Sequence, residues 1–306
     1  MNISKANFLL LLTAAIWGLA FVAQRVGAEL VPPFTFNGLR FLLGAISLIP
    51  LIWFFGRNSQ SMGAECKDAA VPGLVAGIVL FIAASLQQIG IFYTTAGKAA
   101  FITAMYIVLV PIIGIFVRQS ASKGTWLGSI LALIGLYLLS IRGAIIINYG
   151  DILQLIGALF WAIHILVIGY YSIRVDVLKL SCFQFLTCAA LSLMTAAITE
   201  TATIADLSAA AVPLLYGGIA SVGIAYTLQA IGQKYAPPAH VAIILSMEAV
   251  FAAIGGFFLL QERLGGQELI GCALMLSGML VSQLLGLRNA KGESPQVLNK
   301  GVPSSN

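Results

Sequence analysis

An all-α integral membrane fold, ten transmembrane helices arranged as a 5+5 inverted-repeat bundle, is the class this sequence predicts, and three observations predict it. Charged residues make up only 9% of the 306-residue chain and hydrophobic residues 60%, with a mean hydropathy of +1.00. A soluble domain carries roughly 25% charged residues, so this chain cannot cover a water-facing surface. Apolar runs recur along it, each long enough for a hydrocarbon layer of roughly 30 Å. Finally, the pattern of the first half returns in the second.

The runs fall at about residues 8–26, 34–55, 71–92, 98–117, 125–141, 151–171, 180–198, 211–233, 239–260 and 266–286, each closed by charges, Gly or Pro. Lys5 followed by an apolar stretch resembles a signal peptide, but the stretch extends to about Val26 and has a later echo, which makes it a first membrane helix. The second run has Arg40 about two turns in, predicted to snorkel to the headgroups or to pair at the mouth of a cavity. The third contains Leu86-Gln87-Gln88-Ile89-Gly90; the fourth opens at Lys98 and carries Pro111. Gly128 and Gly135 lie in the fifth, Trp161 and His164 in the sixth, Cys182 and Cys188 in the seventh. Tyr226 and Gln229 lie in the eighth, Glu248 near the middle of the ninth, and Gly271 and Gly278 in the tenth. The longest link runs from Gly56 to Ala70, and residues 288–306 form a polar tail predicted to be disordered and cytoplasmic.

Basic residues set the orientation. Lys5, Arg57, Lys67, Arg118, Lys123, Arg174, Lys179, Arg263, Arg288, Lys291 and Lys300 are assigned to the cytoplasmic side, and Arg25, Arg40, Lys98, Arg142 and Lys234 to the other. Both termini are thus expected in the cytoplasm, in a multi-pass protein of a bacterial-type inner membrane. The net charge of +5 is dispersed between apolar runs, a topology signal and not the footprint of a nucleic-acid partner.

Leu86-Gln87-Gln88-Ile89-Gly90 recurs as Leu228-Gln229-Ala230-Ile231-Gly232, and at the same spacing Tyr93 meets Tyr235, Lys98 meets His240, Met105 meets Met247 and Gly114 meets Gly256. Trp17 is echoed at Trp161, and Gly128 and Gly135 at Gly271 and Gly278. Residues 1–142 and 143–287 therefore read as two copies. With five helices per copy the second inserts upside down, the plan by which many transporters place a site at the bilayer midplane.

The ten-helix layout, Trp17-Gly18 echoed at Trp161, Arg40 early in helix 2, and Gln261-Glu262-Arg263-Leu264 followed by Gly271 and Gly278 resemble the drug/metabolite transporter (DMT) superfamily, EamA-type, over nearly all of residues 6–286. The resemblance implies a basket-like bundle whose central cavity is lined mainly by helices 1, 3, 4, 6, 8 and 9. It also implies a secondary transporter of small organic metabolites, often an exporter of amino acids or related compounds. Many members carry Glu-Pro in helix 9; here Glu248-Ala249 stands instead and a proline lies at Pro111 in the other copy, so a proline kink is not expected in helix 9.

Glu248 is the leading candidate. It lies about 14 Å along its helix, and an acid at that depth costs on the order of 2.5–3.5 kcal/mol unless it faces a wet cavity or a partner. There it can bind an ammonium group or take up a proton as the cavity dries. His164, one turn from Trp161, is a second proton-coupling candidate or a packed histidine. Gln88, Tyr226 and Gln229 supply polar groups to the cavity lining or to helix packing, and Trp17 and Trp161 supply its aromatic walls. Glu262 reads as a surface cap beside Arg263. No GxxxxGK followed by Ser or Thr, HExxH, GxSxG or paired CxxC occurs, so no cofactor or metal is expected. The expected partners are a small-molecule solute, membrane lipid and protons. Export of hydrophobic cations is the alternative within transport; an intramembrane lipid-modifying enzyme using Glu248 and His164 is the alternative of another class.

Overall fold

The computed structural model describes residues 1–56, 62–118, 121–140, 148–259 and 265–292. Those residues form helices and no strands. In order they are α1 (Ile3–Leu30), α2 (Pro33–Gly56), α3 (Met62–Phe92), α4 (Ala96–Thr103), α5 (Tyr106–Phe116), α6 (Lys123–Ser140), α7 (Tyr149–Tyr171), α8 (Val177–Thr199), α9 (Ile204–Ala209) and α10 (Ala211–Leu215). A π-helical segment (Tyr216–Tyr226) runs into α11 (Thr227–Gln233), and α12 (Pro238–Leu245), α13 (Glu248–Leu259) and α14 (Gly266–Gly292) follow. Among the described residues, eight stretches are long and apolar enough to cross a membrane; two shorter apolar helices, Lys123–Leu138 and Leu269–Ser282, fall where the fifth and tenth runs lie.

Short polar caps start the helices. Asn2, Thr95 and Asp176 accept from the backbone three residues on, Asn148 with Asp151 closes a capping box on α7, and Thr203 with Asp206 does so on α9. Two hydrogen bonds from Thr203 hold the exposed Asp206 carboxyl below the usual carboxylate range. The N-terminus of α2 is capped from a distance: the Glu200 carboxylate accepts from the Phe34 and Thr35 amides at 2.9 and 2.7 Å.

Four features differ from the sequence pattern. The third helix begins at Met62, so the charged residues Glu65, Lys67 and Asp68 are helical rather than in a loop, and Glu65 pairs with the buried Lys179 of α8. The last helix continues to Gly292, past the expected start of the tail at 288; residues 293–306 lie outside the described residues, as do Arg57, Arg142, Glu262 and Arg263. Lys234 lies on the same face as the N-terminus, because Gly232 packs on Ala6 and Leu10 of the first turns of α1.

The fourth difference positions the site. The runs 98–117 and 239–260 are each broken, at Ala104-Met105 and Ser246-Met247, places that correspond in the repeat. In the first, Pro111 leaves the Ile107 carbonyl without its helical donor, and the Ser129 hydroxyl approaches it at 3.5 Å. The second has no proline. There the chain tightens to shorter-range bonds, Met247 N–H to Ile244 O and Ala249 N–H to Ser246 O, both 3.1 Å. Glu248 is thereby the first residue of a new half-helix, where a carboxylate complements the unpaired amides.

Close backbone contacts at glycines hold several helix pairs together. A Cβ on Gly128 would sit 2.6 Å from Gly278 O, and one on Gly135 would sit 2.5 Å from Gly271 O, so α6 and α14 run antiparallel with their backbones touching. Gly90 likewise approaches Gly150 and Gln154, as Gly232 approaches Ala6 and Leu10.

Candidate functional site

The two helix breaks meet at the centre of the bundle. Tyr106, first residue of α5, donates its hydroxyl to Glu248 Oε1, first residue of α13, at 2.8 Å, and the two are 142 residues apart, the spacing of the repeat. Both are buried, Glu248 to 3% exposure. Gly18 of α1 holds this arrangement close: a Cβ there would lie 2.7 Å from the Glu248 carbonyl.

Around this bond lies a cavity of about 30 Å³, room for roughly one water molecule. Trp17, Gln87, Arg40, Trp161, Tyr226 and Glu248 are among its walls, together with Phe21, Gln24, Thr103, Ile165, Ser221 and Gln229. The expected helices all contribute, and Arg40 adds helix α2. Tyr226 is the aromatic hub: its ring centroid is 4.6 Å from that of Trp17, and Trp161 stacks on it at 6.1 Å with 26° between planes. The π segment that carries Tyr226 has wider turns, and side chains of α1 meet its carbonyls. Trp17 Nε1 donates to Ser221 O at 3.2 Å and the Thr13 hydroxyl to Ala225 O at 3.1 Å.

Gln88 does not line this cavity. Its amide donates to the Gln24 carbonyl at 3.2 Å, and the residue borders a cleft nearer the helix ends. Gln87, one step around the helix, occupies the expected place, since the repeat aligns Gln87 with Gln229. Gln87 Nε2 donates to Thr103 Oγ1 at 3.4 Å, the Thr103 hydroxyl to Gln154 Oε1 at 3.3 Å, and Gln154 Nε2 to Gln87 O at 2.9 Å, a closed circuit joining α3, α4 and α7.

His164 also lies outside the cavity. It is fully buried, shares a 2.9 Å hydrogen bond with Gln184 Oε1 and packs edge-on against Trp161 and Tyr226. No hydrogen bond joins it to Glu248, so the direct relay between the two, and with it an acid–base pair for enzymatic chemistry, has no geometric support.

Arg40 is the largest departure from expectation. It is 1% exposed and cannot reach headgroups. Its Nε donates to Asn37 Oδ1 at 3.0 Å, its guanidinium lies 5.0 Å from the Phe41 ring centroid, and among the described residues no carboxylate pairs with it. Tyr106 was missed at the sequence level although the repeat spacing from Glu248 marks it.

Polar contacts join the helices toward both faces of the bundle. On the face opposite the N-terminus, Lys98 Nζ donates to Asp151 Oδ2 at 2.6 Å and the Thr94 hydroxyl to Asp151 Oδ1 at 3.1 Å. At the other face His240 Nε2 and Asn7 Oδ1 are 3.2 Å apart, with His240 Nδ1 3.0 Å from the Ser282 hydroxyl. Lys98 aligns with His240 in the repeat, and Asn7 aligns with Asp151 in the register that aligns Trp17 with Trp161. Clefts of about 390 and 430 Å³ lie toward the first face and one of about 260 Å³ toward the second.

The profile of the EamA-like transporter family matches residues 4–141 and again residues 148–283. An uncharacterized transporter of Archaeoglobus fulgidus is 32% identical over 91% of this chain and 86% of its own length. A protein of Salmonella typhimurium named a probable amino-acid metabolite efflux pump is 27% identical over 91% of this chain and 94% of its own. A solved crystal structure, 20% identical, superposes with a TM-score of 0.75 over 94% of this chain and 99% of that one, a likeness of fold.

Proposed function

Because the chain belongs to the EamA-like transporter family, we propose that it is a secondary transporter that exports amino acids or related small metabolites by alternating access between two inverted five-helix halves. The halves are residues 1–142 and 143–287, and both termini are cytoplasmic. Support for the inversion comes from the two successive family matches, the paired helix breaks and the exchanged glycine contacts. The observation that carries the reading is the Tyr106–Glu248 bond at the junction of four half-helices, inside a cavity of aromatic and amide groups. Interrupted helices at corresponding positions of two repeats mark the substrate site in many transporters.

In this reading the structure is an occluded state. Rocking one half against the other opens Lys98–Asp151 or His240–Asn7, never both, and the cavity expands as its walls part. Glu248 is protonated or paired according to which face is open, which couples solute movement to protons. The amino-acid class is supported by the relative named as an efflux pump and by a cavity that offers both a carboxylate and a guanidinium. Export of hydrophobic cations would use Glu248 and the aromatic walls, but the buried charge of Arg40 opposes it.

Counterflow into liposomes bearing the purified full chain tests the proposal. Radiolabelled amino acids are expected to exchange and to be displaced by other amino acids in preference to hydrophobic cations. Flux equal to that of protein-free liposomes for every solute would overturn the transport reading.

The closures give a separate prediction. Lys98→Met removes a partly exposed ion pair, worth up to about 1 kcal/mol, and so should shift the population toward opening on that face by up to about fivefold. A cysteine placed at Gln87 should then react correspondingly faster with a membrane-impermeant maleimide added outside. An unchanged rate would remove Lys98 from any gating role.

A further inference from the structure

A guanidinium buried at this depth is expensive. Taking an ion out of water costs several kcal/mol after relaxation, and a lone arginine in a membrane interior normally finds a carboxylate, a phosphate or water. Arg40 has none of the first two. Asn37 satisfies Nε, Phe36 and Phe41 lie 5.7 and 5.0 Å below the charge, and Nη2 is fully buried with no hydrogen-bond partner. The side chain forms part of the wall of the same cavity as Glu248, yet among the described residues the two make no ion pair. Trp161 Nε1, Gln24 Oε1 and Gln229 Oε1, on residues that line the cavity, are likewise buried without a hydrogen-bond partner.

From this arrangement we infer that Arg40 is the carboxylate-binding residue of the central cavity, so that the site is built for zwitterions: the solute's carboxylate on Arg40 and its ammonium on Glu248, with the Trp17–Tyr226–Trp161 rings facing the rest. The inference deepens the transport reading and rests on it. Arginine suits the task because its planar fork meets both oxygens of a carboxylate and keeps its charge at every working pH. Arg40 and Glu248 line one cavity without pairing with each other, which leaves each available to a ligand of opposite sign. A solute lacking the carboxylate would leave the guanidinium buried without an anion, and one lacking the ammonium would do the same to Glu248. Rejection of such analogues is the strong form of specificity, since an unpaired buried polar group carries its full desolvation penalty.

The test compares three solutes of one shape in counterflow with the full chain in liposomes. Phenylalanine, threonine and methionine are each set beside the corresponding amide, which lacks the carboxylate, and the corresponding deaminated acid, which lacks the ammonium. Wild type is expected to favour each amino acid over its amide by at least about tenfold, the effect of losing one charged hydrogen bond. Arg40→Gln is expected to abolish that preference, lowering amino-acid exchange to the level of the amide while changing amide exchange less than about twofold. Arg40→Lys, which keeps the charge and loses the fork, should retain part of the preference. Equal exchange of amino acid and amide by wild type overturns the inference, and so does a loss in Arg40→Gln of the same factor for both solutes, the mark of a structural arginine. If Arg40→Gln does not fold, the wild-type comparison and Arg40→Lys decide. Absence of exchange for every probe with wild type overturns the transport reading itself, whereas exchange without discrimination overturns only the role of Arg40.

Discussion

Glu248→Gln should lower transport by about 10- to 150-fold with the fold intact. Glutamine keeps the length of the side chain and an oxygen able to accept from Tyr106, so the 2.8 Å bond that joins α5 to α13 is preserved. What disappears is the charge and the capacity to carry a proton. A hydrogen bond to a charged group contributes roughly 1.5–3 kcal/mol, and each 1.4 kcal/mol is tenfold in an equilibrium or rate, which sets the expected range. The pH dependence of the wild-type rate should flatten in the same variant, since the proton acceptor is gone. Thermal unfolding in detergent should be unchanged and serves as the control for folding. Glu248→Asp, charged but one methylene shorter and drawn back from Tyr106, should fall between the two. Wild-type flux with an unaltered pH profile in Glu248→Gln would take Glu248 out of the mechanism.

The second large effect is on assembly. Valine at Gly135 or at Gly278 should destabilise the bundle by about 1–3 kcal/mol, because the new Cβ would stand 2.5 Å from the Gly271 carbonyl or 2.6 Å from the Gly128 carbonyl, against backbone that cannot move aside locally. The two substitutions push apart the same pair of helices, so the double variant should lose less than the sum. Melting in detergent reads the loss; the control is Gly97→Ala, where nothing lies within 4 Å of the added methyl and the change should be neutral or slightly stabilising. Neither α6 nor α14 contributes a wall to the central cavity, so the solute preference of surviving protein should be unaltered. Unchanged melting in both single variants would mean that the helices do not meet face to face at these glycines.

Much of this architecture was legible because lipid is an undemanding solvent to read against. Chain stretches that cross it must be apolar throughout and fully hydrogen-bonded within themselves, so the helices stand out from composition alone. The spacing of 142 residues also pointed to the pairing of Gln87 with Gln229, both of which line the cavity, and of Lys98 with His240. Periodicity did not reveal the broken helices, since a run such as 239–260 reads as one span whether or not two residues in its middle tighten. The π segment was equally silent, because its wide turns depend on Trp17 and Thr13 reaching its carbonyls from another helix. Arg40 was misjudged for a related reason. Position along a helix says how far a side chain is from the headgroups; only the neighbours Asn37, Phe36 and Phe41 show that it turns inward. Gln88 was preferred to Gln87 although they are about 100° apart around α3, a difference that decides which one meets the cavity.

The hydrogen bond between Tyr106 and Glu248 bears on ancestry. On the proposed two-fold, these positions are each other's image, so a pair of identical subunits assembled antiparallel about it would bring tyrosine against tyrosine there, or carboxylate against carboxylate. Two acids so close would have to share a single proton. A hydroxyl giving its hydrogen to an acid needs unlike residues at mirrored places, and one gene encoding both copies in tandem can specify that where a duplicated identical subunit cannot.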